Sequence, residues 1–294
     1  MIVVLCGPTS AGKTEIAVEV ASRFDAVVVS ADAMQVYRGM DIGTGKATPA
    51  ERKQVPHLGL DIVDPDQPFD ASAFAALCRE AIDTHERVIV AGGTSLYIRA
   101  VIRGLVKTPP VDPALRAALE AQSNLHEQLS RVDPELAARL HPNDRVRLIR
   151  GLEVFERGGV RLSELQKAHR AEPDQVRAAG VWLDRTELDA RIDRRVIDMV
   201  DRGYVAEVQT LLESGYGRQL KPMQSLGYRH LCDHVLDDLS LDEAIERTQR
   251  DTRRFARKQR TWMKTLGYPR VLENRLERAL DAAERAFRHV NSRT

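Results

Sequence analysis

Cysteine, aromatic residues and long apolar runs are all scarce in this chain of 294 residues. The three cysteines, Cys6, Cys78 and Cys232, are odd in number and far apart, which argues against a disulfide framework and for a reducing, cytoplasmic setting. No segment approaches the roughly 18 consecutive apolar residues of a membrane span. The one apolar run near the start, Ile2 to Cys6, follows no basic segment, so no signal peptide is expected. Aromatics make up 5% of the chain, and 30% charged residues leave a net charge of only +1; that balance says nothing about a polyanionic partner until its distribution is known. Internal repeats, low-complexity tracts and a long apolar surface stripe are also missing, so a monomer is expected. A chain of this length buries roughly three quarters of its unfolded surface and needs no covalent or metal staple.

What is present is an alternation of short apolar runs and helical patterns over the first hundred residues. Ile2 to Leu5, Ala26 to Val29 and Val88 to Ala91 read as strands, and Glu15 to Arg23 and Ser72 to Thr84 as helices, which together predict strand–helix units on a parallel sheet. Three prolines in five residues, Pro109 to Pro113, mark a break. From Ala114 to about Arg170 no strand-like run occurs; short helices are expected, with starts near Asp133-Pro134 and Asn143-Asp144. Ala179 to Leu183 then returns the chain to the sheet, so residues 111–178 are read as a helical insert in a core of 1–110 and 179–294. The last third is expected to be helical throughout: Arg191 to Arg202, Val205 to Ser214, and a long helix from about Leu241 to Leu266, each stopped by a glycine.

Gly7-Pro8-Thr9-Ser10-Ala11-Gly12-Lys13-Thr14 fits G-x-x-x-x-G-K-[ST] and stands between a strand and a helix. The glycines let backbone amides converge on an anion, the helix start and Lys13 add positive potential, and Thr14 can ligate Mg²⁺. A mere tight turn has no use for Lys13. The loop alone does not distinguish ATP from an organic diphosphate. The fold class expected is α/β, a P-loop NTPase-like parallel sheet flanked by helices, with an all-helical insert and a helical C-terminal region. Ligands of such sheets bind at the carboxyl ends of strands, which places Asp32, after the second strand, beside the phosphate site. There it could hold a metal through water, accept a proton from a nucleophile or cap a turn. Gly92-Gly93-Thr94-Ser95 lies at another carboxyl end, where it offers a hydroxyl and close backbone approach, or serves as a plain strand-to-helix turn.

From Arg247 to Lys264 there are eight Lys or Arg and a single acid, Asp251. At 100° per residue all eight cations lie within about 80° of Arg250, and Phe255, Ala256, Met263 and Leu266 fall on the other side. A helix packed by that side and showing an unmixed cationic ridge suggests a polyanion; an ordinary basic surface helix, or one paired with an acidic element, is the plainer alternative. Arg145, Arg147 and Arg150 form a smaller basic group on the insert.

Taken in order, GPTSAGKT, SADAMQVYRGMDIGTGK, GGTSLYIRA, HPNDRVRLIRGLEV, QSLGYR and RKQRTWMK resemble the bacterial tRNA dimethylallyltransferases, over about residues 1 to 270. Departures fall at Ser10-Ala11, Ala33, Ser95 and Val146, and none removes a charged or catalytic candidate. The resemblance implies transfer of a dimethylallyl group from dimethylallyl diphosphate to the N6 amine of the adenosine 3′ of the anticodon. It implies that Gly7 to Thr14 bind the diphosphate, with Lys13 and Arg195 (chosen over Arg191) on the leaving oxygens and Mg²⁺ at Thr14. Asp32 then corresponds to the general base and Thr94 to a residue orienting the amine. Contacts to tRNA are implied at Asp32, Ala33, Met34, Gln35 and Thr94; at Arg116; and at Val146, Arg147, Leu148, Ile149 and Arg150. Further contacts are implied at Gln224, Ser225, Leu226, Gly227, Tyr228 and Arg229, and at Arg257, Lys258, Gln259, Arg260, Thr261, Trp262, Met263 and Lys264. The target base would leave its stack to be held between the domains, and Gln35 could read the adenine edge. A P-loop kinase of a small molecule, an isopentenyltransferase of free adenine nucleotides and an RNA-binding module without chemistry are the alternatives; a kinase needs no cationic ridge, and in a mere binder Asp32 and Thr94 would be idle. His57, Cys78 and His141 lack companions at metal-ligand spacing and are read as structural or RNA-adjacent.

Overall fold

The computed structural model describes residues 1–288. Contacts divide the chain into two units, Met1–Ile102 with the chain from Gln175 onward, and Arg103–Asp174. The divisions lie earlier in the chain than the proline break and the returning strand, because the amides of Gln175 and Val176 already bond to the Ile102 carbonyl.

The first unit is built on six parallel strands, β1 (Ile2–Cys6), β2 (Val27–Ala31), β3 (His57–Leu58), β4 (Val88–Gly92), β5 (Ala178–Leu183) and β6 (Arg270–Val271), in the order β3-β2-β4-β1-β5-β6. β1, β2 and β4 are buried at every position because helices cover both faces. Alternate residues serve alternate cores. Ile2, Val4, Val27, Val29, Val88 and Val90 pack with Phe74, Ile98, Tyr204 and Tyr228. Val3, Leu5, Val28, Ile89, Val181 and Leu183 pack with the helices Lys13–Phe24 and Arg275–Phe287. Each fully buried Val, Leu or Ile contributes about 1.5–3 kcal/mol. All three cysteines are free and buried; burial pushes the Cys6 and Cys78 thiols up to about 12.

The last third is not helical throughout. Arg270-Val271 pairs with Trp182-Leu183, and the Trp182 amide donates to the Pro269 carbonyl at 2.8 Å. Two residues carry no period, so this strand leaves no pattern in the sequence; the sheet edge makes it. Beside it Asp184, fully buried, accepts from Arg260 Nε and Nη2, from Arg270 and from the Arg185 amide. One carboxylate thus ties the end of β5 to the long helix and to β6.

The second unit has its own core of Leu119, Leu125, Leu129, Leu136, Leu148, Ile149, Leu152 and Leu162. Helix starts fall where Asp-Pro and Asn-Asp predict them: Asp133 caps Pro134–Ala137 and Asp144 caps Arg145–Gly158. Asp133 also accepts from the Ser163 amide and hydroxyl, which fastens the next helix. Gly151 is small because a Cβ there would lie 2.8 Å from Leu129 and Leu136.

Removing the Asp184 carboxylate strands two arginines that keep some water, so Asp184→Ala is expected to cost about 2–3 kcal/mol, below the ~3–5 kcal/mol of a fully buried pair. Urea denaturation monitored by circular dichroism measures it, and a loss under about 1 kcal/mol contradicts the hub role.

Candidate active site

Three loops meet at the carboxyl edge of the sheet. The first follows β1: Ser10 and Gly12 take left-handed conformations, φ 63° and 80°, which turns successive amides inward as a nest for an anion. The helix opens at Lys13, two residues before the Glu15 start that the sequence pattern suggests. Lys13 Nζ folds back to donate to the Pro8 carbonyl at 2.7 Å. Burial lowers its pKa to about 8, with Asp32 acting against the shift and Arg195 adding to it. Ser10 Oγ is buried without a partner, and the Thr14 hydroxyl makes no hydrogen bond among the described residues. These spare groups suit an anion and a hard cation respectively.

The second loop follows β2. Asp32 Oδ1 accepts from the amides of Met34 (2.8 Å) and Gln35 (3.4 Å), and its other oxygen is uncommitted. The third follows β4: the Thr94 amide donates to the Ala31 carbonyl at 3.1 Å, and Thr94 Oγ1 accepts from the Ala33 amide at 3.2 Å. Its hydroxyl proton is therefore left to donate. A Cβ on Gly92 would sit 2.1 Å from the Ala31 carbonyl oxygen and one on Gly93 3.2 Å from that of Gly7, so only glycine permits this approach. Arg195, on the helix Leu188–Asp201, enters from the opposite side; burial lowers its pKa and Asp32 acts against that. Arg191, one turn earlier, lies outside the loop, with Nε donating to the Ser10 carbonyl at 3.4 Å. Lys13, Arg195, Asp32 and Thr94 are thus brought together.

Several residues expected at an RNA surface are committed inside the protein. Gln35 Nε2 donates to the carbonyls of Thr44 and Gly45, and its Oε1 accepts from Ser30 Oγ, so it fastens a loop and has no edge left to read adenine. Gln259 is buried, accepting from the Thr9 amide at 2.9 Å and donating to the Gly93 carbonyl at 3.1 Å. It lies about 180° from Arg250 around the helix, which is why it joins the loops after β1 and β4 inside the protein and does not face solvent with the cations. Met263, Leu148, Ile149 and Tyr228 are buried, and the Tyr228 hydroxyl donates to Glu207 at 2.6 Å. Arg116 is bidentate on buried Glu153, which Arg150 shares. Gln224 donates to the Arg218 carbonyl, and Arg229 is paired with Asp251. Val146 (79% exposed), Arg147, Gln224, Arg257, Lys258, Thr261, Trp262 and Lys264 remain at the surface.

The ridge itself is mostly neutralised. In the helix Leu241–Met263, Arg247 pairs with Glu243, Arg250 and Arg254 with Asp251, Arg253 with Asp193, and Arg257 with Asp189, while Arg260 is held by Asp184. Phe255 and Trp262 are exposed, with the Arg99 guanidinium 5.3 Å over the Trp262 ring. Asp189 and Asp193 come from another helix and Asp184 from the end of β5, all outside the basic stretch, while Glu243 and Asp251 lie on the long helix itself. Lys258 and Lys264 alone on this helix make no ion pair among the described residues.

Glu207 was not visible in the sequence. Its carboxylate accepts from the amides of Asp41 (2.9 Å), Ile42 (2.6 Å) and Gly43 (3.1 Å). It thereby clamps the loop whose Gly45 packs directly on Arg195, where a Cβ would overlap the guanidinium. Among the described residues no group of three or more His, Cys, Asp or Glu is placed to hold a metal, and no helix is long and apolar enough to cross a membrane.

A profile of the family described as IPP transferase matches residues 35–266. A tRNA dimethylallyltransferase of Syntrophobacter fumaroxidans is 48% identical over 275 residues, 90% of this chain and 80% of the relative. A tRNA dimethylallyltransferase 1 of Syntrophotalea carbinolica is 48% identical over 273 residues, covering 89% and 87%. The full-length tRNA isopentenylpyrophosphate transferase of Bacillus halodurans superposes with a TM-score of 0.69 at 32% identity, over 99% of both chains. A eukaryotic dimethylallyltransferase acting on tRNA gives a TM-score of 0.77 at 26% identity, over 89% of this chain and 69% of that one.

Because Lys13 loses its proton near pH 8 in the free protein, inorganic diphosphate should bind more weakly as pH rises from 7 to 9. Isothermal titration at several pH values tests this; the Lys13→Ala variant should bind weakly throughout and lose that dependence. A wild-type affinity flat across this range contradicts the assignment.

Proposed function

This chain belongs to the IPP transferase family, and from that premise we propose that its phosphate loop grips dimethylallyl diphosphate while Asp32 draws the proton from the acceptor amine. It is an enzyme that transfers a prenyl group to tRNA, at N6 of the adenosine 3′ of the anticodon, and its setting is the cytoplasm. An exocyclic adenine amine is a poor nucleophile because its lone pair is delocalised into the ring, so a carboxylate must take the proton as the C–N bond forms. Asp32 has one oxygen anchored by two backbone amides and the other uncommitted, which is the observation that carries this reading. Thr94, pinned by the Ala33 amide, orients the amine with its free hydroxyl proton.

The second half of the barrier is departure of the diphosphate from the allylic carbon. The C–O bond breaks with its electron pair on the leaving oxygen, and charge builds on the oxygens next to the nest. Loop amides, the Ser10 hydroxyl, Lys13 and Arg195 stabilise that charge without reorganising. Mg²⁺ held by Thr14 and the diphosphate itself, when bound, neutralises part of the same charge.

At the surface, tRNA phosphates meet the cations left without carboxylate partners on the long helix, Lys258 and Lys264, while exposed Trp262 offers a stacking face. The paired arginines shape that surface more than they charge it.

Incubation with labelled dimethylallyl diphosphate should place label in tRNA, and labelled ATP should not; phosphate transfer from ATP would favour a kinase. Asp32→Asn should lower transfer at least about 10³-fold with tRNA affinity within a few-fold, and loss of tRNA binding instead would make Asp32 structural. Lys258→Glu with Lys264→Glu should weaken tRNA binding and lower its salt slope by about one for each phosphate that is no longer neutralised; a slope equal to wild type contradicts the surface.

A further inference from the structure

Four guanidiniums on the outer side of the phosphate loop stand without a carboxylate partner among the described residues: Arg185, Arg191, Arg194 and Arg275. Their situation is the reverse of that on the long helix. The acids of the same stretch, Asp184, Asp189 and Asp193, pair with Arg260, Arg257 and Arg253, which leaves the arginines of that stretch bare. Arg185 Nε and Arg275 Nη1 both donate to the Ala11 carbonyl, and Arg191 Nε donates to that of Ser10. These carbonyls carry partial negative charge, but two oxygens cannot satisfy three forks of five donors each.

The crowding is electrostatically unfavourable. Burial lowers the pKa of Arg185, and Arg275 and Arg191 lower it further; Arg275 is likewise lowered by burial and then by Arg191. Only Glu15 acts against this, without forming an ion pair. Arg185, Arg191 and Arg194 also line a depression of about 220 Å³ with Thr186, Glu187 and Leu272. Glu187 is exposed and bonds none of them. A cavity edged by planar donors whose charges repel one another is relieved by an anion that accepts from several at once.

We propose that this outer face is a second phosphate-binding site, separate from the cradle and turned away from its amides. The ligand chemistry is a phosphate group, from either of two sources: a free diphosphate beside the loop, or a backbone phosphate of RNA. Arg185 and Arg191 bridge the two sites, since each holds a carbonyl of the cradle with one edge and lines the depression. The proposal does not depend on which anion fills the cradle.

Titration of inorganic diphosphate into the full chain should give two molecules bound per chain. Lys13→Ala should remove the inner one and keep the outer; Arg194→Glu, at the lining arginine that holds no cradle carbonyl, should remove the outer one and keep the inner. Arg194 has no carboxylate to strand, and circular dichroism checks that the variant folds. In a second arm, a fluorescent anticodon stem-loop is titrated with the same variant. One diphosphate per wild-type chain, together with an affinity for the stem-loop at least tenfold weaker in that variant, identifies the occupant as an RNA phosphate. One diphosphate per chain and an unchanged stem-loop affinity overturns the site. Two diphosphates that both survive Lys13→Ala would sink the cradle reading instead, and leave the outer site standing.

Discussion

Close approach of backbone to backbone at the carboxyl edge of β1, β2 and β4 is the constraint on which the rest of this molecule depends. A single methyl group on Gly92 would collide with the Ala31 carbonyl oxygen and one on Gly93 with Gln259, while one on Gly7 would collide with the Leu183 carbonyl oxygen at the end of β5. This proximity lets Thr94 touch the Asp32 turn and lets one glutamine bridge the phosphate loop to the loop after β4. Gln259 is the only side chain among the described residues that bonds both, and it reaches them from the long helix. The helix therefore sets the spacing of the reacting groups as well as a surface.

Charge is managed by pairing elements rather than by composition. The helix Leu188–Asp201 supplies Asp189 and Asp193 to the long helix and directs Arg191 and Arg195 toward the phosphate loop. One element thus removes positive charge from one region and adds it to another. At the end of β5 the buried Asp184 neutralises Arg260 and Arg270, which keep part of their surface in water. The field at the cradle consequently comes from Lys13, Arg195 and the three arginines that hold its carbonyls, Arg185, Arg191 and Arg275, none of which has an ion pair among the described residues.

Much of the framework was legible because it is local. The phosphate loop is eight consecutive residues, the central strands are short, mostly apolar runs, and glycine stops at Gly203, Gly215 and Gly267 all adopt positive φ. The Asp-Pro and Asn-Asp helix starts were equally readable, since a cap acts on amides two or three residues away. Less was legible where an element owes its existence to a neighbour. β6 forms only because β5 offers it an edge, and β3, also two residues long, because β2 does. Phe255 was expected in the interior and is exposed, since the contact face of its helix is centred on Thr248, Gln259 and Met263.

By itself, the sequence determined that a strand–loop–helix cradle for phosphate exists, that Asp32 and Thr94 follow strands of the same sheet, and that cations gather on one side of a long helix. Tertiary structure alone decided which of those cations keep their charge. The acids that pair with Arg253, Arg257 and Arg260 lie 60 to 76 residues away in the chain. It also decided that Gln35 and Gln259 are spent on backbone groups and that Glu207 clamps three amides. The reason is that Coulomb attraction and hydrogen bonding fall off with distance through space, and distance along the chain carries no record of which helix will lie across from which.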